Sequence, residues 1–156
     1  MEELIEKPVF THKQFAVSCF NKVWDLLESE NRTESESEEM VHLCHSSFWH
    51  WTKVEDHTPK NLSIGYWQLS RVYAVINQGE SALFYAKKCM EISHTSEIEP
   101  FYIAYAYEAA ARAYLVLNQH SESLEAKSKS LEYASQVIDE ESKSWLIKDL
   151  NSINPL

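Results

Sequence analysis

The feature that most constrains the fold of this 156-residue chain is an internal repeat. The segments 66–78 and 107–119 share one pattern of aromatic, small and apolar residues at an offset of 41, and both end in Asn-Gln. Each has the apolar spacing of a helix, and each precedes a second helical stretch containing Glu-Ser. An extra residue at His120 is expected to shift the offset to 42 in that second stretch. A period of this length predicts stacked helix pairs.

Composition favours an all-α fold, since the chain has only two glycines and four prolines. The glycine-rich loops that bind nucleotides are absent, and the length fits a single domain over 1–156. Apolar spacing predicts about seven antiparallel helices with short connections, and Gly79 is expected at a tight turn because glycine is conformationally permissive. The predicted helices cover about 11–29, 34–53, 60–77, 80–94, 97–118, 120–138 and 140–151.

The repeated segments resemble the tetratricopeptide repeat (TPR), whose pattern is W-x2-L-G-x2-Y followed by A-x3-F. The matching residues are Tyr66, Leu69, Ser70, Tyr73, Ala82 and Ala86 in one unit, and Tyr107, Ala110, Ala111 and Tyr114 in the next. The period is longer than the usual one of about 34 residues, and no glycine stands at the small position. The segment 11–53 fits more loosely, through Phe20, Val23, Trp24 and Leu27.

The resemblance implies a TPR-like right-handed superhelix of antiparallel helix pairs. The pairs are expected at about 11–53, 60–94 and 97–138, with a capping helix at about 140–151. The sequence as a whole is also similar to uncharacterised bacterial proteins that contain such repeats.

The resemblance further implies a concave groove, lined by the first helix of each pair, that binds a protein or peptide partner. The expected groove residues are Trp67, Arg71, Glu108 and Arg112, with Tyr105 nearby. Two arginines beside aromatic side chains suit a carboxylate, so an acidic terminus is one candidate ligand. The structural alternative is an ion pair of Glu108 with Arg71 or Arg112 that braces neighbouring helices.

A second candidate site lies on the second predicted helix, where Glu38, His42, His45 and Trp49 fall on one stripe. A metal ion could bind His42 and His45 if another helix supplied a further ligand. The alternative is that these histidines pack at a helix interface. No motif for a catalytic nucleophile occurs, so the sequence favours a binding protein over an enzyme and predicts no cofactor. Two other functions stay open: small-molecule or metal binding at His42 and His45, and homodimerisation through a Trp-rich face.

The net charge of −10 argues against nucleic acid and anionic membranes as partners. No apolar run approaches the roughly 20 residues of a membrane span, and the acidic N-terminal residues do not resemble a signal peptide. Three widely spaced cysteines without a C-x-x-C motif predict buried thiols in a reducing compartment. We therefore expect a cytoplasmic protein.

Overall fold

The computed structural model describes residues 8–155, which form seven α-helices and no strand. The predicted all-α class is confirmed, and most helix ends lie within three residues of the expected ones. The largest difference is at the end of α6, which stops four residues early at Ala134. The helices are α1 (His12–Glu28), α2 (Glu34–Lys53), α3 (Pro59–Val75), α4 (Gly79–Thr95), α5 (Pro100–Val116), α6 (His120–Ala134) and α7 (Glu140–Asn151).

Local sequence determines where several helices begin. Thr11, Thr33 and Thr58 each accept a hydrogen bond from the backbone N–H three residues later, and the side chain at that position bonds back to the threonine N–H. These reciprocal bonds satisfy backbone donors that the first helical turn leaves free. Pro59 and Pro100 occupy the first helical position, where proline costs no backbone hydrogen bond.

Asparagine, not glycine, makes the turns inside the second and third helix pairs. Asn77 and Asn118 have φ angles of 63° and 59°, in the left-handed region that asparagine tolerates better than most residues. The prediction that Gly79 supplies this turn is wrong, because Gly79 is the first residue of α4 and has no positive φ. A glycine is needed there for space, since a Cβ would lie 2.7 Å from Leu117 Cγ.

The offset of 41 residues extends through both helices of these two pairs. The second helices begin at Gly79 and His120, and their N-caps are Gln78 and Gln119. The expected shift to an offset of 42 is therefore wrong, because His120 is itself the first residue of α6 and not an insertion before it.

One side-chain hydrogen bond recurs in all three pairs, from the second helix to a carbonyl oxygen of the first. The bonds are Ser47 Oγ to Ala16 O (2.8 Å), Cys89 Sγ to Ser63 O (3.3 Å) and Ser130 Oγ to Ala104 O (2.7 Å). Ala16 is thereby equivalent to Ser63, which lies three residues before the first signature residue Tyr66. The first signature position of the N-terminal pair is therefore Cys19, three residues after Ala16. The looser sequence match through Phe20 is out of register by one residue.

The two helices of a pair run antiparallel and approach closely. Ser70 near the end of α3 donates to Ala82 O near the start of α4, whereas Ser63 near the start of α3 bonds to Ser93 near the end of α4. At the same place in the third pair the direction is reversed, since Ser123 Oγ of α6 donates to Ala111 O of α5 at 2.7 Å. Small side chains at these positions let the backbones come together.

Helix α5 lies at the centre of the stack, since it contacts α3, α4, α6 and α7. Its buried face is rich in alanine, which allows close packing on several sides. The buried residues of α5 are Ile103, Ala104, Ala106, Glu108, Ala109, Ala110, Ala111 and Ala113.

None of the described helices is long and apolar enough to cross a membrane.

Candidate functional site

The first helices of the three pairs, together with α7, line one concave cavity of about 640 Å³. This volume lies within the roughly 300–1,000 Å³ typical of ligand pockets. Four charged side chains, Glu28, Arg71, Lys148 and Asp149, also line it. The remaining wall is mainly aromatic and comprises Phe20, Trp24, Ser63, Ile64, Trp67, Phe101, Tyr102, Tyr105 and Trp145.

Trp67 is part of the aromatic wall and is held from several sides. Its ring stacks on that of Trp24 at a centroid distance of 5.4 Å and meets the ring of Tyr105 edge-on at 5.4 Å. The guanidinium of Arg71 lies 5.1 Å from the indole centroid, within the range of a cation–π interaction. These contacts hold the Trp67 side chain in one orientation.

Glu108 lies behind the wall and is completely buried. Its Oε1 accepts hydrogen bonds from Arg71 Nη2 (2.9 Å) and from Arg112 Nε and Nη2 (3.0 and 2.7 Å), and its Oε2 accepts one from Trp67 Nε1 (3.0 Å). Burial by itself would raise the pKa of Glu108, but the charges of both arginines and these hydrogen bonds outweigh it and lower that pKa. Glu108 is therefore ionised, and its charge is compensated inside the protein.

The same network attaches α7 to the stack. Arg112 Nη2 donates to the backbone oxygen of Asp149 (3.2 Å) and to Ser152 Oγ (2.8 Å). Tyr105 donates its hydroxyl to Asp149 Oδ2 at 2.8 Å, and Arg71 Nη2 lies 3.7 Å from Oδ1. Burial, followed by the neighbouring Asp149, raises the pKa of Tyr105, which keeps its hydroxyl a donor. The network thus connects α3, α5 and α7.

The five groove residues expected from the sequence come together here, but in two layers. Trp67, Arg71 and Tyr105 line the cavity. Glu108 has no exposed surface, and neither it nor Arg112 is part of the wall. The ion-pair alternative describes Glu108 well, because it pairs with both arginines.

The contributions of α1 and α7 to the wall were not predicted, for two reasons. In α3 the groove residues Trp67 and Arg71 lie one and five residues after the first signature position, Tyr66. With Cys19 at that position in α1, the equivalent residues are Phe20 and Trp24, and both line the cavity. The register error therefore concealed them. Trp145 and Lys148 of α7 were missed because α7 carries no signature residues.

The two histidines of the metal hypothesis do not form a common site. His45 Nε2 lies 2.7 Å from the Tyr73 hydroxyl, and the ring of His45 packs edge-on against Tyr85. His42 is exposed and lies 3.7 Å from Glu38 Oε1. No three His, Cys, Asp or Glu side chains within 8–155 form a group that could hold a metal ion. His45 thus packs at a helix interface, as the alternative stated.

No protein-family model matches the chain, and no curated protein or solved structure matches it significantly. The tetratricopeptide resemblance therefore rests on the signature residues of the sequence alone.

Proposed function

We propose that this chain is a peptide-binding interaction module of the tetratricopeptide type, which holds an extended segment of a partner protein in the concave cavity. The observation that carries the proposal is that α1, α3, α5 and α7 jointly form a single aromatic wall. A groove built from successive first helices is the binding surface that the resemblance implies.

The composition of the wall supports a binding role. Tryptophan, tyrosine and arginine contribute disproportionately to the energy of protein interfaces. Trp145 is 54% exposed, so it is available to a partner, while Trp67 and Arg71 are held by their own neighbours. A wall that is already ordered loses little conformational freedom when a ligand binds.

We place this protein among binding modules rather than enzymes. No histidine or cysteine belongs to the described residues that line the cavity, and the one serine, Ser63, bonds to the buried Ser93. The Tyr105 hydroxyl and the Asp149 carboxylate are bonded to each other. These polar groups are arranged to hold the helices together.

The cytoplasmic location belongs to the same proposal. The cysteines Cys19, Cys44 and Cys89 are all unpaired, which suits a reducing compartment. A bacterial source is implied by the resemblance alone.

A second copy of the chain is another candidate occupant of the Trp-rich surface. Light scattering at increasing protein concentration tests whether the chain forms such a homodimer.

Selection from a displayed library of random peptides tests the proposal directly. We expect enriched peptides that bind the purified chain and that shift the NMR indole signals of Trp67 and Trp145. The signal of Trp49, which is 53% exposed but outside the cavity, should not move. Peptides that shift Trp49 and leave the cavity signals unchanged would contradict the proposal, as would the absence of any enriched peptide.

A further inference from the structure

We infer that the cavity recognises an aromatic side chain of the partner segment together with a neutral carbonyl oxygen, and not a carboxylate. This inference rests on the proposed function and specifies the chemistry of its ligand. It is carried by three features of the wall: its aromatic surface, one donor without an acceptor, and the balance of charges around Arg71.

The aromatic surface favours a flat apolar ligand group. Trp24, Tyr102, Tyr105 and Trp145 contribute side chains from three helices to the same cavity. Aromatic rings attract one another in offset-stacked and edge-to-face arrangements, which a wall with several ring orientations provides. A smaller apolar recess of about 170 Å³ shares Phe20 and Ile64 with the cavity, so the apolar surface continues beyond it.

Arg71 supplies a donor that lacks an acceptor. Its Nη2 bonds to Glu108, but its Nε is buried and has no hydrogen-bond partner among residues 8–155. A buried N–H group without an acceptor is costly, and nearly all such groups in folded proteins are paired. Arg71 lines the cavity, but its Nε has almost no solvent-exposed surface, so a ligand oxygen pairs with this Nε–H only when the Arg71 side chain shifts on binding.

The balance of charges indicates that this oxygen is neutral. The positive charges of Arg71 and Arg112 are matched by two carboxylates: Glu108 contacts both arginines, and Asp149 lies 3.7 Å from Arg71. A carboxylate on the ligand would add an uncompensated negative charge beside the buried Glu108. A backbone carbonyl oxygen adds none. Lys148 and Glu28 add one positive and one negative charge to the lining, and both are exposed, so water screens them.

Three blocked amino acids separate these alternatives in NMR titrations of the full chain at pH 7. N-acetyltryptophanamide carries the aromatic ring and neutral carbonyls, N-acetyltryptophan replaces the amide by a carboxylate, and N-acetylalaninamide lacks the ring. We expect saturable shifts of the Trp67 indole N–H with the first probe. Binding of the second should be weaker by about fivefold or more, which corresponds to about 1 kcal/mol, because its carboxylate adds an uncompensated charge. The third should give no saturable shift.

Two variants of equally exposed tryptophans provide the control. Trp145→Ala should weaken binding of N-acetyltryptophanamide, whereas Trp49→Ala, outside the cavity, should leave it unchanged. Equal or tighter binding of N-acetyltryptophan would overturn the neutral acceptor and restore the acidic terminus. Saturable binding of N-acetylalaninamide, or no saturable binding of either tryptophan probe, would overturn the whole inference.

The peptide selection distinguishes a failure of this inference from a failure of the proposed function. Enriched peptides that bind in the cavity but contain no aromatic residue would overturn the inference and leave the peptide-binding function standing. Binding of N-acetyltryptophanamide without any enriched peptide would overturn the peptide-binding function and leave the chemistry of the cavity standing.

Discussion

The indole Nε1–H of Trp67 donates a hydrogen bond of 3.0 Å to Oε2 of Glu108, a residue 41 positions later in the chain. Both residues directly follow the first signature aromatic of their units, Tyr66 and Tyr107. Equivalent groove positions of successive units therefore bond to each other. One unit presents an indole to the cavity, and the next supplies the buried carboxylate that holds it.

The first prediction concerns Glu108. Replacing it by alanine would leave two arginines and an indole N–H without their shared acceptor. We expect Glu108→Ala to lower the free energy of unfolding by about 3–5 kcal/mol, as when one partner of a buried pair is removed. Glu108→Gln should cost less, because it keeps an acceptor of the same shape. Urea denaturation measures both.

The control for Glu108 is Glu99, which forms an ion pair of 2.6 Å with Lys60 on the surface. Exposed pairs of this kind contribute little to stability. Glu99→Ala should therefore change the urea midpoint only slightly. Equal destabilisation by Glu99→Ala and Glu108→Ala would contradict the role of the buried network.

The second prediction concerns Gly79, at the start of α4. Glycine-to-alanine changes usually stabilise a helix, but a Cβ at position 79 would lie 2.7 Å from Leu117 Cγ and 3.1 Å from Val116 Cγ1. We expect Gly79→Ala to destabilise the protein by about 1–3 kcal/mol through overpacking. Leu117→Ala should lower the stability of the Gly79→Ala variant less than it lowers that of the wild type. An additive double mutant in thermal denaturation would argue against this contact.

The third prediction concerns the cysteines. Burial raises the pKa of the Cys44 thiol to about 12 and that of Cys89 to about 11, so neither forms the reactive thiolate readily. Cys19 is only half-buried. We expect a disulfide reagent at pH 8 to modify Cys19 first in the native chain, and Cys19→Ser to remove the fast phase. Fast modification that persists in this variant would show that Cys44 or Cys89 is accessible.

The fourth prediction concerns the dependence of stability on pH. Burial, and then the charge of His42, lowers the pKa of His45 below its usual 6.5. The folded state therefore binds the proton less readily than the unfolded chain, so stability is full above pH 6.5 and falls as the pH drops towards the lowered value. His45→Gln should reduce the loss of stability between pH 7.5 and 5.5, measured in urea. If His45→Gln leaves the loss of stability between pH 7.5 and 5.5 unchanged, His45 is not the source of this pH dependence.

The repeat made most of the fold predictable. Helical spacing located the seven helices, because each buries one apolar face, and the aromatic signature marked α3 and α5. The turn was misassigned because Asn77 adopts the left-handed conformation, whereas Gly79 is required by the proximity of Leu117. Asparagine and glycine both form turns. Which of the two adopts the left-handed conformation, and which must lack a Cβ, depends on their neighbours in space, and a single sequence does not show these neighbours.

The site was less predictable than the fold. Trp67, Arg71 and Tyr105 were identified because α3 and α5 carry the signature. The burial of Glu108 and the bond between Tyr105 and Asp149 depend on how closely α3, α5 and α7 approach one another. Periodicity places residues on a face of a helix but does not give the distance to the facing helix.

The proposed function requires that the concave aromatic wall binds a peptide, and isothermal calorimetry with one library-selected peptide measures this binding. Trp145 and Trp49 are 54% and 53% exposed, so their replacement by alanine removes similar surface at two different places. We predict that Trp145→Ala raises the dissociation constant by at least about tenfold, as for a tryptophan that contributes strongly to an interface. Trp49→Ala should leave it unchanged. Equal affinity of the wild type and Trp145→Ala, or a loss confined to Trp49→Ala, would contradict the account.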